Sequence, residues 1–272
     1  MIECRACEVL QTVDHHEDVS PDYVHLKKEN IDGDRLWCQG DHKRQAFKRW
    51  ATQVEFLKNH SVERLRLLDI GCGTGGFLKY AQGLGMETFG FDASRAQVEY
   101  AKKEFPNVRC AYIPSEYIRV LGMTGLRFDV VTMWDVLEHV RNPLEFLRDV
   151  HDILRPGGLF FASIPNGKAM LWKRRIQSLL GVCRDPDWAP WEHVFYYTMK
   201  SLNDYVRMAG FQVLKSGAVA CYPRPLSIFE VVRRFAFLCL RTVPSHAPQI
   251  YMWAQAPVPI AKKGDIPLFL TG

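Results

Sequence analysis

The stretch LLDIGCGTGGFL, residues 67–78, decides the fold of this chain. An apolar run that ends near Asp69 is followed by Gly71, Gly73 and Gly76 in the pattern G-x-G-x-x-G, and then by an apolar helical stripe. A strand, a glycine turn and a helix in that order are typical of nucleotide-binding sheets, because bare backbone N–H groups at a helix start attract negative charge. The stretch therefore predicts a ligand site at the carboxyl end of its strand.

Strand-like and helix-like segments alternate on both sides of this turn. The predicted strands are RLRLLDI, METFGFDAS, NVRCAYIP, RFDVVTMWDVLEHV (which runs into a loop), LFFASIPN, QVLKSGAVACY and QIYMWAQAPV. Helical spacing predicts a helix over 44–60, and Asn142, Pro143 and Glu145 predict a capping box at the start of another. The alternation predicts an α/β fold with a doubly wound, mostly parallel sheet, whose ligands bind at the carboxyl ends of the strands.

Composition sets the broad class. The chain has 272 residues, 47% apolar and 24% charged, enough to bury a large core. Its 35 basic and 30 acidic residues do not require a polyanionic partner. The first twenty residues lack the pattern of a secretory signal, and no run is apolar enough to predict a transmembrane segment. Eight scattered cysteines favour reduced thiols and a cytoplasmic location.

Asp69 decides between two ligands of the turn. Asp92, at the end of the second strand, stands where NAD enzymes bind a ribose hydroxyl. A carboxylate at Asp69, however, repels a pyrophosphate across a low-dielectric crevice. S-adenosylmethionine carries an ammonium and a sulfonium, has no phosphate and presents a ribose diol. We therefore expect S-adenosylmethionine as the cofactor, with Asp69 and Asp92 at its two ends.

Several motifs carry a family resemblance. LLDIGCGTGGF resembles the first motif of class I S-adenosylmethionine-dependent methyltransferases, and FGFDAS resembles the second. The stretch from FDVVTMWDVLEHV to FFASIPN resembles the fourth-to-fifth-strand unit of the small-molecule branch, and EHVFYYTMKSLNDYVRMAGF its cap and fifth helix. The resemblance covers residues 45–260. It implies a Rossmann-like seven-stranded sheet of order 3-2-1-4-5-7-6 with the last strand antiparallel, and a helical cap insert.

The resemblance also implies a cofactor-binding set at the ends of four strands. Its members are Asp69, Gly71, Gly73, Gly75, Asp92, Ala93, Ser115, Glu116, Trp134 and Asp135. Asp69 is expected near the methionine amino group, Asp92 at the ribose hydroxyls, and Ser115 with Glu116 near the adenine. Roles as simple loop residues for Ser115 and Glu116, and as a core residue for Trp134, stay open.

Two histidines are candidate catalytic residues. A hydroxyl or amine acceptor loses a proton on methylation, and imidazole titrates near neutrality. His139 follows the fourth strand, and His193 lies in the cap. A purely structural role for each stays open, and no metal is predicted at this site.

The cap insert, 166–197, is rich in aromatic and basic residues and lies where an acceptor must enter. It favours a small-molecule or saccharide substrate. Exocyclic-amine methyltransferases of nucleic acids carry an (Asp/Asn)-Pro-Pro-aromatic stretch where this chain has DVLE, so no nucleic-acid partner is expected. A nucleic-acid or protein methyltransferase and a non-catalytic cofactor-binding module remain alternatives, and either a monomer or a homodimer is compatible.

The flanking segments are less informative. Residues 1–44 read as irregular, and IECRACEVL resembles the second half of the zinc ribbon with which some relatives of this branch begin. An irregular zinc site, in which Cys38 and His42 join Cys4 and Cys7 at the spacing C-x2-C-x30-C-x3-H, is an alternative. Unpaired thiols are a further alternative. An amphipathic insert, 226–243, suits packing on the domain or on a dimer partner, or peripheral contact with a membrane. Residues 261–272 are read as a tail.

Overall fold

The computed structural model describes residues 2–3, 8–11, 31, 40–58, 61–179, 193–219 and 249–257. The insert at 226–243, the tail at 261–272 and the cysteines Cys4, Cys7 and Cys38 lie outside the described residues. Strands are β1 Ile2–Glu3, β2 Leu10–Gln11, β3 Arg66–Ile70, β4 Glu87–Asp92, β5 Val108–Cys110, β6 Phe128–Trp134, β7 Leu154–Pro165, β8 Phe195–Tyr196, β9 Gln212–Val219 and β10 Gln249–Gln255. Helices are α1 Asp41–Lys58, α2 Gly76–Gln82, α3 Arg95–Ala101, α4 Pro114–Leu121, α5 Pro143–Ile153, α6 Gly167–Leu179 and α7 Met199–Met208.

Seven strands form the central sheet, in the order β5-β4-β3-β6-β7-β10-β9. The strands from β5 to β7 pair in parallel, whereas β10 is antiparallel to both of its neighbours. Counted from β3, this is the predicted order 3-2-1-4-5-7-6 with the last strand antiparallel, so the predicted fold is confirmed. The parallel strands place the ends of β3, β4 and β6 along one edge.

Each face of the sheet has its own apolar layer, because alternate side chains of a strand point to opposite faces. Leu68 and Ile70 of β3 pack with residues of α4, α5 and α7. Leu67 of β3 packs on the other face with residues of α1, α2 and α3. Asp69 is two residues after Leu67 in β3, so its side chain points to the same second face.

Helix α1 lies over the second face and confirms the predicted apolar stripe. Phe47, Trp50 and Val54 are buried. The Trp50 ring meets Phe77 of α2 edge-on, with ring centroids 4.9 Å apart, and stacks on Trp253 of β10 at 6.1 Å. The helix thereby bridges α2 and the far strand β10.

The N-terminal segment contains two strands that the sequence did not predict. β1 pairs with β2, and β2 pairs in turn with β8 through Leu10 and Tyr196. Two-residue strands carry too little periodicity to be recognised, and the partner strand lies in the cap, far away in sequence. The start of the chain and the cap insert therefore share one small sheet.

The capping box predicted at the start of α5 is absent, because the Asn142 side chain makes no capping hydrogen bond. Asn142 occupies the N-cap position of α5, and Pro143 its first turn. The capping box lies at α7 instead, where Ser201 N donates to Thr198 Oγ1 at 3.2 Å and Thr198 N donates to Ser201 Oγ at 2.8 Å. The usual sequence pattern of a capping box has Glu or Gln at the third helical position, whereas here the Ser201 hydroxyl accepts the bond from the N-cap N–H.

Within the described ranges, no helix combines the length and the apolarity that a bilayer crossing requires.

Candidate functional site

The glycine turn after β3 is left-handed at three positions. Gly71, Gly73 and Gly75 have φ of 71°, 54° and 87°. A Cβ on Gly71 would lie 2.4 Å from Val136 Cγ2, and one on Gly75 would lie 2.5 Å from Phe105 Cε2. Both the backbone conformation and the space therefore require glycine. Since Val136 follows β6, the contact at Gly71 also joins the turn to the end of that strand.

Asp92 ties the turn to the end of β4. Its Oδ2 accepts from Gly73 N at 2.9 Å, and its Oδ1 accepts from Ser94 N at 2.8 Å. Gly71 N donates to Phe91 O at 2.8 Å. Because these bonds join the turn to β4, the carboxylate braces the turn, and its partial exposure leaves it accessible to a ligand. This is where a ribose diol is predicted to bind.

Ala93 and Cys110 form the neighbouring wall. The Cys110 Sγ lies 3.6 Å from Ala93 O, to which it donates. Burial raises the pKa of this thiol, which keeps it protonated near neutral pH. The thiol at the end of β5 is therefore an uncharged group beside Ala93.

Asp69 lies deeper than expected from the sequence. Its side chain is almost fully buried, and its Oδ1 accepts from Thr132 Oγ1 of β6 at 2.7 Å. Both residues alternate onto the face that α1 covers. The Asp69 carboxylate thus lies inside the protein between β3 and β6, and its direct contact with a ligand stays a prediction.

Ser115 and Glu116 are engaged by the protein. Ser115 Oγ donates to Asp149 Oδ2 of α5 at 2.8 Å. Glu116 Oε2 accepts from Tyr112 N at 2.8 Å, which braces the start of α4. Both bonds have a structural role, and the predicted role of these residues near an adenine stays a prediction.

Trp134 ends β6 within an aromatic cluster. It is 8% exposed, and its ring centroid lies 5.2 Å from that of Phe47, 5.0 Å from that of Phe77 and 4.7 Å from that of Phe161. Most of the indole is therefore core, as the alternative interpretation held, and its role in lining a cofactor pocket stays a prediction.

Asp135, the next residue, is held by two side chains that were not predicted from the sequence. Lys43 Nζ of α1 donates to Asp135 Oδ2 at 3.0 Å, and Gln249 Nε2 of β10 donates to Oδ1 at 3.0 Å. The sequence contains one indication that Lys43 is buried: it precedes Phe47 by one helical turn and so lies on the apolar stripe of α1. Nothing in the sequence indicates that Gln249 contacts Asp135, because Gln249 begins a strand 114 residues further along the chain.

The two candidate histidines come together. His139 ends a 3-10 turn, Leu137–His139, that follows β6, and its ring centroid lies 4.9 Å from that of His193, edge to face. Val194 N donates to Glu138 O at 2.9 Å, so main-chain bonding joins the cap to this turn. Neither Glu138 nor this contact was predicted from the sequence, although Glu138 directly precedes His139.

The same cluster has the donor set of a metal site. Glu138, His139 and His193 each offer one ligand atom, and these atoms lie within 4.8 Å of one another. Glu138 is buried, whereas both imidazoles are partly exposed. One carboxylate and two imidazoles suit a divalent ion such as Zn²⁺. The cluster can therefore either move a proton or hold a metal.

Comparison with known proteins assigns most of the chain to one family. The family model described as "Methyltransferase domain" matches residues 42–216. The ubiquinone biosynthesis O-methyltransferase of Ruegeria pomeroyi is 34% identical over 169 residues, which are 58% of this chain and 66% of that protein. The chain thus spans slightly less than two thirds of the length of this relative.

Solved structures share the fold at low identity. A SAM-dependent methyltransferase from Archaeoglobus fulgidus has a TM-score of 0.54 and 18% identity, covering 86% of this chain and 100% of that one. Magnesium protoporphyrin IX methyltransferase from Synechocystis PCC 6803, solved with bound SAH, has a TM-score of 0.55 and 14% identity, covering 87% and 99%. At these identities the likeness concerns the fold alone.

Proposed function

Since the chain belongs to the family of methyltransferase domains, we propose that it transfers a methyl group from S-adenosylmethionine to a nucleophilic O, N or C atom of a small molecule or saccharide. One observation carries the proposal. The contact between Gly71 and Val136 places the glycine turn directly beside the segment that leads to His139. A cofactor cradle and a pair of imidazoles therefore border one crevice.

The residues of the turn suit this cofactor. Gly71 and Gly73 present the backbone without side chains, and Asp92 offers a half-exposed carboxylate to a ribose diol. Asp69 adds negative charge beside the turn, which favours a cationic ligand over a pyrophosphate. The charge of Asp135 is balanced by its ion pair with Lys43. When bound, S-adenosylmethionine supplies the methyl group and leaves as a neutral thioether.

The imidazoles have the task of moving a proton. A hydroxyl or amine acceptor sheds its proton as it attacks the methyl carbon, and a neutral imidazole nitrogen accepts that proton. His139 is about 25% exposed, so an acceptor can reach it. His193 is partly exposed and contacts Tyr196, with ring centroids 5.5 Å apart. The pair would position the acceptor and take its proton, while the protein orients the two reactants.

One cavity of the described structure has none of the predicted cofactor-binding or catalytic residues in its lining, and we propose it as an entry site for a small acceptor. It has a volume of about 240 Å³, opens at the carboxyl end of β7, and is lined by Glu8, Asn166, Lys168, Thr198, Met199, Lys200 and Ile250. Ile250 and Met199 supply apolar surface, and the exposed Lys168 would attract an acidic group. Lys200 is already paired with Asp204 at 2.9 Å. The name of the Ruegeria relative, an O-methyltransferase of ubiquinone biosynthesis, supports a hydroxylated acceptor.

The remaining expectations belong to the same proposal. We place the enzyme in the cytoplasm as a monomer or homodimer, in keeping with reduced thiols at Cys72 and Cys110 among the described cysteines. Contact of the 226–243 segment with a membrane, and zinc bound by the N-terminal cysteines, stay predictions.

Calorimetry with S-adenosylmethionine, S-adenosylhomocysteine and NAD tests the proposal. We expect micromolar-range binding of both sulfur compounds and none of NAD. Incubating the protein with labelled S-adenosylmethionine and cell extract, followed by mass analysis, should then reveal a labelled small product. Tight NAD binding alone would refute the cofactor assignment. Cofactor binding with label only on nucleic acid or protein would refute the substrate class, and binding with no product would favour a non-catalytic module.

A further inference from the structure

Lys43 is a buried cation on an apolar helix face. Its side chain is 3% exposed, although Arg44 and Gln45 beside it on α1 are exposed. Its ammonium lies 5.7 Å from the centroid of the Trp134 ring. Burying an ammonium is costly unless it is paired and hydrogen-bonded. An ion pair with a partner carboxylate, at 3.0 Å, offsets part of this cost.

That partner, Asp135, is held from two distant parts of the chain. Lys43 binds one carboxylate oxygen and Gln249 the other, both at 3.0 Å. Asp135 N also donates to Ser163 O of β7 at 2.8 Å. Helix α1 and strands β7 and β10 thus converge on one residue directly after β6.

The backbone of Asp135 explains why so many contacts are useful. Its φ is 56°, in the left-handed region that non-glycine residues enter at a cost. Such a conformation persists where the surroundings impose it, and it is found preferentially at functional sites. The conformation also sets the position of the next residue, Val136, whose Cγ2 fills the space beside Gly71.

We propose that Lys43 is a positioning residue for the cofactor crevice: by holding Asp135 in its left-handed conformation, it fixes Val136 against the glycine turn. The inference rests on the proposed function, since it takes the turn to be the cofactor cradle. Loss of the ammonium lets Asp135 relax toward an ordinary conformation, and Val136 then moves relative to Gly71. The width of the crevice between β3 and β6 changes with it.

Cofactor affinity measured by calorimetry on the full chain tests the inference. We expect Lys43→Met, which keeps the apolar stem, to raise the Kd of S-adenosylmethionine about tenfold, the size of effect that relief of local backbone strain supports. Lys43→Arg keeps the charge and should stay within about threefold of the wild type. Lys58→Met is the matched control, because Lys58 is a half-buried lysine of the same helix that donates to Gly157 O at 3.3 Å, away from the turn.

Lys58→Met should lower the thermal midpoint and leave the Kd unchanged. The inference would be overturned if Lys43→Met and Lys58→Met lost equal stability and both kept the wild-type Kd. Lys43 would then only anchor α1 to the sheet. Failure of the wild type itself to bind S-adenosylmethionine would instead overturn the proposed function, on which the inference rests.

A double-mutant cycle separates positioning from direct contact. Asp135→Gly accepts the left-handed conformation without a clamp. If Lys43 acts through Asp135, then adding Lys43→Met to Asp135→Gly changes the Kd by less than about twofold, whereas the tenfold effect persists if Lys43 contacts the cofactor itself. The persistent effect would overturn the positioning role. If Lys43→Met does not fold, Lys43→Gln provides the same cycle.

Discussion

The two sides of the crevice are built in opposite ways. On the β4 side, the glycine turn is held by main-chain bonds and by Asp92, which is only 19 residues from its partner Gly73. On the β6 side, Asp135 is held by side chains that lie 92 and 114 residues away in sequence. The first side is a local motif, whereas the second is assembled by the fold. The predicted cofactor-binding residues of the β4 side are therefore close in sequence, whereas the β6 side depends on residues that the fold brings together.

The imidazole pair gives the largest expected effect. His139→Ala or His193→Ala should lower kcat by about 10² to 10⁴, the range for loss of a general base, with the Kd of S-adenosylmethionine unchanged. His151→Ala is the control, because His151 also makes an edge-on ring contact, with Phe211 at 5.1 Å, but on α5. Steady-state kinetics with the identified acceptor measure the difference. Full activity in both His139→Ala and His193→Ala would show that neither imidazole acts as the general base.

Gly71→Ala tests the point where the two sides meet. A left-handed alanine costs about 1–2 kcal/mol and overpacking about 1–3 kcal/mol, so the free energy of unfolding should fall by about 2–5 kcal/mol. Gly122→Ala separates the two costs, because Gly122 has a φ of 72° but an added Cβ would have nothing within 4 Å. It should lose about 1–2 kcal/mol. Denaturant titration measures the free energy of unfolding of both variants. Equal losses would mean that the Val136 side chain moves aside for the added Cβ at no cost.

Asp92→Asn tests the β4 side, which consists of the glycine turn and Asp92, without changing the β6 side. Hydrogen bonds to a charged group contribute about 1.5–3 kcal/mol, so the Kd of S-adenosylmethionine should rise by about one to two orders of magnitude. Asp129→Asn is its counterpart at the opposite edge of the sheet, where Asp129 accepts from Arg66 N at 2.9 Å and from Arg155 Nη1 at 2.7 Å. Calorimetry should show weaker binding for Asp92→Asn only. A parallel loss in both variants would indicate general destabilisation.

Removing metal should have the smallest effect. If Glu138, His139 and His193 serve proton transfer, dialysis against a chelator leaves kcat unchanged. The donor geometry, with ligand atoms within 4.8 Å, makes the opposite result informative. A loss of activity that Zn²⁺ restores would assign the cluster to a metal centre, and the sequence-based prediction of no metal would then be wrong.

The local side of the crevice was predictable from the sequence. The glycines, Asp92 and the strand–turn–helix order depend on backbone conformations and on contacts between residues close in the chain, and such contacts leave a readable pattern. The sheet order came from the family resemblance, since alternation alone predicts a doubly wound sheet without ordering its strands. The position of each histidine and the neutral pKa of imidazole indicate a candidate base, but nothing in their spacing predicts that His139 and His193 meet.

By itself the sequence determined the fold class, the glycine turn and the residue types available for chemistry. Tertiary structure alone decided that Asp69 is buried against Thr132, that Ser115 bonds Asp149, and that Lys43 reaches Asp135. The physical reason is that these bonds join different helices and strands, so they depend on how β3 pairs with β6 and on how α1 and α5 pack on the sheet. A local pattern records which face of an element is apolar, but it does not record which distant polar group that face will meet.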